Sequence, residues 1–125
     1  MTEKQSFSAS VYPANRTIFD EGQAGDAAYM IVRGEIEVRK GTNTNNPRVL
    51  AVIGKGEVFG EMALFDSRPR MAAAIAKTEV ELIRIEREEF KVRLKSVDPV
   101  MRSMMLFLVQ RVRNMADEFM RKKDV

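Results

Sequence analysis

Apolar and charged side chains alternate along residues 29–39: Met30, Val32, Ile36 and Val38 fall on one parity, and Arg33, Glu35, Glu37 and Arg39 on the other. A period of two predicts a strand with one buried and one wet face. Gly34 interrupts the run, and a glycine inside such a pattern marks a bend or tight turn. Residues 40–48 (KGTNTNNPR) are polar and read as a hairpin loop, after which 48–53 return as an apolar strand. Residues 71–77 and 79–87 read as two more strands, and their weak alternation predicts packing on both sides. Glycines at 22, 25, 34, 41, 54, 56 and 60 separate short apolar runs, the spacing of turns in a sandwich or barrel.

The period changes after Ile85. In EREEFKVRL, Phe90 and Leu94 stand four apart among charges, which predicts a short amphipathic helix over about 87–95. Asp98 as N-cap and Pro99 at the first helical position then start a long helix over about 99–121. Met101, Met105, Leu108, Val112, Met115 and Phe119 step along it by four and three residues, a heptad-like seam. Val100, Met104 and Phe107 add a second apolar flank. One small barrel does not cover both stripes along a helix ~33 Å long. Part of the helix is therefore expected to meet another chain, either a downstream protein or a second copy in a homodimer. Five of the nine methionines lie from Met101 onward, and methionine suits an adaptable contact surface.

The 125 residues, 45% hydrophobic and 31% charged, are expected to form one domain over 1–125. There is no histidine and no cysteine. That excludes Cys/His zinc sites, histidine-based metal cupins, Ser-His-Asp triads and cysteine nucleophiles. No cofactor is expected. Carboxylates that could pair, such as Glu57 and Glu61, have no nucleophile beside them. The net charge of +3 is dispersed, with no basic run longer than Arg121-Lys122-Lys123, so no direct DNA binding is expected. The N-terminal MTEKQSFSASVY lacks the apolar segment of a signal peptide. The apolar run at 103–110 is far below the ~18–20 residues that span a bilayer. A cytoplasmic protein away from membranes is the expectation, and Met1 and the charged ending read as natural termini.

The chemistry concentrates in residues 56–76, GEVFGEMALFDSRPRMAAAIA. Phe59-Gly60 ends a strand with a residue that allows close backbone approach. Residues 61–64 then fit one helical turn, whose free N–H groups suit an anion. Small Ala63 leaves the backbone reachable. After a short loop, Pro69 stiffens the approach to Arg70, which is followed by Met71 and three alanines. An arginine there suits bidentate contact with an anion. The Glu61 carboxylate accepts hydrogen bonds, so beside an anion cradle it suits a sugar hydroxyl.

This constellation resembles the phosphate-binding cassette of cyclic nucleotide-binding domains, found in the bacterial catabolite activator protein, protein kinase A regulatory subunits and cyclic nucleotide-gated channels. Their pattern, close to F-G-E-(L)-A-L, a loop, then (P)-R-x-A, stands here as Phe59-Gly60-Glu61-Met62-Ala63-Leu64 and Pro69-Arg70-Met71-Ala72. Ile18-Phe19-Asp20-Glu21-Gly22, Gly25-Asp26 and 29–38 look like the family's first hairpins, and the terminal helices like its B and C helices. The likeness covers about residues 7–120.

The resemblance implies a mainly β fold with terminal helices. It is an eight-stranded antiparallel β-roll, jelly-roll-like (a double-stranded β-helix), over about 7–86, with a short cassette helix and the C-terminal helices. It implies a non-enzymatic receptor for a cyclic mononucleotide. By position, Arg70 would pair with the cyclic phosphate and Glu61 with the ribose 2′-hydroxyl. Backbone amides around Gly60, Ala63 and Ala72 would complete these contacts, with Met62 and Met71 in the same frame, and Leu50 matches a position that packs on the base. Responders to cGMP often carry threonine where Met71 stands, so cAMP is expected ahead of cGMP. The signal is expected to leave through the C-terminal helix. The alternative is the sensor part of a catabolite-activator-type transcription regulator, or of a channel, lacking its output domain. Such a regulator needs roughly 60–80 further residues for a helix-turn-helix. An enzyme of cupin type would share the barrel but lacks the histidine ligands.

Overall fold

Two antiparallel four-stranded sheets face each other in the computed structural model, which describes residues 7–123. One sheet orders β1 (Ala9–Tyr12), β8 (Val80–Glu86), β3 (Ala27–Arg33) and β6 (Val58–Phe59); the other orders β2 (Thr17–Phe19), β7 (Ala73–Ala76), β4 (Ile36–Lys40) and β5 (Arg48–Ile53). The expected eight-stranded antiparallel roll is the observed fold. The start of the N-terminal segment and the last two residues lie outside the described residues.

Phe19, Tyr29, Ile31, Ile36, Phe59, Ala74, Ala76, Val80 and Leu82 form the core between the sheets. Ile31, Ile36, Val80 and Leu82 are fully buried, and each contributes roughly 1.5–3 kcal/mol relative to an exposed position. Phe19, Tyr29 and Phe59 bring their rings together, with Tyr29 and Phe59 stacked at 5.3 Å between centroids.

The run read as one strand over 29–39 is two strands. Gly34, at φ +94°, adopts a backbone conformation that other residues reach only with strain. There the chain leaves β3 in one sheet and enters β4 in the other. The inward parity changes at this crossing. Tyr29 and Ile31 are buried in β3 while Met30 is exposed; Ile36 is buried in β4. An alanine at 34 would also drive its Cβ into the backbone of Glu79 and Val80. The two later strands divide as well. β7 is buried at every position, as expected of a strand covered on both sides, whereas β8 alternates. Val80 and Leu82 begin β8 in the core and its far end is exposed: Arg84 pairs there with Asp26 and Glu86, while Glu81 pairs with Arg33.

The chain divides into two compact units, one ending at Arg87 and the other starting at Glu88. The second holds α1 (Arg87–Leu94, whose first residue belongs to the first unit) and α2 (Pro99–Lys123). Asp98 caps α2 as its sequence predicts: Oδ2 accepts from the Val100 and Met101 amides at 3.0 and 3.2 Å. The Arg102 guanidinium donates to the carbonyls of Leu94 and Val97, tying the turn between the helices. None of the side chains described in this unit is buried, and the seam residues Met101, Leu108, Met115 and Phe119 are all exposed. No helix among the described residues is long and apolar enough to cross a membrane.

Candidate functional site

β6 ends at Gly60, which sits at φ +71° and opens a 3-10 helix over Glu61–Leu64. A side chain at residue 60 would be strained at that φ, and its Cβ would press on Arg70 Nη1 and the Phe19 ring. The turn closes on itself. Ala63 N–H donates to Gly60 at 3.2 Å, and the Phe65 and Asp66 amides donate to Met62 at 3.0 and 3.2 Å. Ala63 and Leu64 face inward and are buried, while Glu61 and Met62 are half-buried.

Arg70 lies in the loop that leads to β7. Its backbone is fixed against the segment after β2: Arg70 N–H donates to Gln23 at 2.9 Å and Gly22 N–H to Arg70 at 2.8 Å. Its guanidinium draws three segments together. Nη1–H donates to the Gly60 carbonyl at 3.1 Å and Nη2–H to the Ala27 carbonyl at 2.8 Å, with the plane lying over the Phe19 ring. Gly25 passes so close that a Cβ there would collide with the guanidinium. Nε–H is buried and has no partner. Burial lowers the arginine's pKa, and the Tyr29 phenol and the Asp26 and Glu61 carboxylates nearby oppose that shift. Among the described residues Arg70 forms no ion pair, and the Glu61 carboxylate accepts no hydrogen bond.

A half-buried cation whose direct contacts are neutral carbonyls and a ring, with Asp26 and Glu61 near but not paired to it, is incompletely compensated, because burying a charge without a bound counter-charge is costly. An anion meeting Nε–H would supply both the missing hydrogen bond and the missing charge. Glu61, one residue beyond Gly60, carries a half-buried carboxylate on the same turn.

Gly60 and Arg70 are joined directly, and Glu61, Met62 and Ala63 follow Gly60 on the same turn. Met71 and Ala72 continue from Arg70 and are half-buried; the Met71 carbonyl accepts from Lys40 Nζ at 3.4 Å. Leu50 is half-buried on the edge strand β5, where the register against β4 shifts between Val38 and Arg39. Glu57 holds a turn, its Oε2 accepting from Gly54 N–H at 3.1 Å.

Three participants carry no role in the sequence reading. Phe19 and Gly25 belong to motifs quoted above, but nothing local shows that they floor and roof Arg70. Arg87 sits in the charged stretch EREEF. Its Nε–H donates to Ala63 O at 2.6 Å, and Nη2–H donates to Gly25 O at 2.7 Å and Asp66 O at 2.9 Å.

The family model described as "Cyclic nucleotide-binding domain" matches residues 9–96. A cAMP-dependent protein kinase regulatory subunit of Aspergillus fumigatus is 42% identical over 91 residues, covering 73% of this chain and 21% of that protein. The cyclic AMP receptor protein of Thermus thermophilus is 32% identical over 107 residues, covering 86% of this chain and 50% of that protein. The chain thus spans about a fifth of the first relative and half of the second. Among solved structures, the EAL enzyme Bd1971 in its cAMP-bound form matches with TM-score 0.70 and 31% identity, over 90% of this chain and 30% of that one. Its cGMP-bound form matches with TM-score 0.72 and 32% identity, over 89% and 30%.

Proposed function

This chain belongs to the cyclic nucleotide-binding domain family, and from that premise we propose that it is a non-enzymatic cytoplasmic receptor for a cyclic mononucleotide, cAMP ahead of cGMP. Arg70 and the cassette amides around Gly60, Ala63 and Ala72 take the cyclic phosphate, Glu61 takes the ribose 2′-hydroxyl, and Met62, Met71 and Leu50 line the remainder. The observation that carries the reading is the Arg70 guanidinium, half-buried, without an ion pair among the described residues and with an unpartnered buried Nε–H. A monoanionic phosphate diester answers both needs. Met71, which offers no hydroxyl to guanine, supports cAMP over cGMP. Isothermal titration with both nucleotides tests this: binding of each is expected, tighter for cAMP. Absence of heat and of thermal shift with both at millimolar concentration overturns it.

The output in this reading is α2, acting on a downstream protein or on a second copy of the chain. Support comes from the 4-3 seam of Met101, Met105, Leu108, Val112, Met115 and Phe119, a pattern suited to a second helix. Sedimentation with and without cAMP measures the self-association.

A second reading, favoured by the chain's spanning half of the Thermus receptor, makes it the sensor part of a longer regulator or channel. The intact mass of the native protein decides between the two.

A further inference from the structure

Arg87 grips both walls of the anion site from outside it. One wall is the 3-10 helix and the loop after it, held through Ala63 O and Asp66 O; the other is the segment between β2 and β3, held through Gly25 O. The Arg87 backbone N–H adds a 2.8 Å bond to Asp26 O. We propose that Arg87 is the positioning residue of this site: without touching the ligand, it sets the affinity of the phosphate cradle. The inference rests on the reading just given, and it assigns a role to a residue outside the cassette.

The peptide group is planar and trans, so fixing a carbonyl's direction fixes the following N–H in the opposite sense. By holding the carbonyls of Ala63, Asp66 and Gly25, Arg87 turns the amides of Leu64, Ser67 and Asp26 away from itself. Gly25 is also the residue against which the Arg70 guanidinium packs. Release of Gly25 therefore loosens the roof over Arg70, and release of Ala63 loosens the turn that starts at Gly60. The acceptors are three neutral carbonyls on two segments, met by the planar, widely spaced donors of a guanidinium. A lysine offers a single nitrogen and reaches only part of that set.

Two measurements on the full chain test the proposal. In the first, amide NMR is recorded without ligand for Arg87→Lys and Arg87→Gln. The amides at 25–26, 63–64 and 66–67 are expected to shift together; shifts confined to the neighbours of residue 87 overturn the clamp. In the second, cAMP is titrated into Arg87→Lys in the native and in the Arg70→Lys backgrounds. A loss of about tenfold is expected in the first background and a clearly smaller one in the second, because the hold on Gly25 acts through Arg70 while the hold on Ala63 does not. Equal losses in both would mean a merely structural arginine and overturn the proposal. If Arg87→Gln fails to fold, Arg87→Lys, which keeps the charge, carries both measurements. Should the unmodified chain bind no cAMP, the receptor reading falls, while the NMR result still decides whether Arg87 clamps the two walls.

Discussion

The guanidinium carbon of Arg70 lies 3.9 Å from the centroid of the Phe19 ring. Phe19 in turn meets Tyr29 and Phe59 at 6.1 and 5.9 Å between ring centroids. One side chain thus belongs both to the core and to the surroundings of Arg70, so packing faults in the core reach the cation directly. A cation over an aromatic face gains roughly 0.5–2 kcal/mol. Phe19→Leu keeps the position apolar and removes the ring. It is expected to weaken cAMP binding by about 2- to 30-fold, read by isothermal titration; unchanged affinity would show that the ring is only filler.

Gly25→Ala places a methyl group against the Arg70 guanidinium. Overpacking of this kind costs roughly 1–3 kcal/mol. The expected result is a lower Tm together with weaker binding. Arg70→Ala in the same chain removes the obstacle, so the double variant should melt with Arg70→Ala alone.

Arg70→Ala is expected to impair binding more than Glu61→Ala. Losing the partner of a buried charge costs roughly 2–5 kcal/mol, on the order of 30- to several-thousand-fold. Losing a charge-assisted bond to a neutral hydroxyl costs roughly 1.5–3 kcal/mol, about 10- to 150-fold. An Arg70→Ala affinity within about threefold of the native chain would remove the phosphate assignment.

Glu21 accepts from Gly41 N–H at 2.7 Å and from Lys40 Nζ at 3.0 Å. Burial acts to raise its pKa, but the Gly41 amide and Lys40 outweigh it and hold the carboxylate below its ordinary value. Stability from a depressed carboxylate is present above the unfolded pKa, about 4.3, and is lost as pH falls through the folded one. The native chain should therefore lose Tm more steeply than Glu21→Gln as pH is lowered from about 5 into that acid range. Parallel Tm curves would place the Glu21–Lys40 pair outside the stability balance.

Output through α2 predicts that cAMP changes amide exchange over residues 99–120. Identical protection with and without nucleotide would exclude this helix as the responding element.

Much of the candidate site was legible because its parts are close in sequence. Gly60, Glu61, Ala63 and Arg70 are set by one strand end, one turn and one short loop, so residue type and spacing point to the same place. Phe19, Gly25 and Arg87 were not legible, because their roles depend on strand pairing that brings distant segments together. Periodicity also misread the run over 29–39. Alternation records which residues share a side of a strand, but not that Gly34 carries the chain from one sheet to the other. A one-residue register shift between β4 and β5 is likewise invisible in an apolar run. The Asp98 cap was legible because capping is decided within three residues.

β1 lies against β8, with Ala9 opposite Ile83. This pairing has a consequence for synthesis. At roughly 5–20 residues per second, a ribosome takes about 4–15 s to make the stretch between those two partners. Until β8 emerges, β1 and β3 both lack the strand that lies between them, and their unpaired edges are open to other chains. Contacts so distant in sequence also close slowly once available. The nascent roll is thus most exposed to aggregation just before residue 86 leaves the exit tunnel, and slower translation beyond Glu86 would give it time to close.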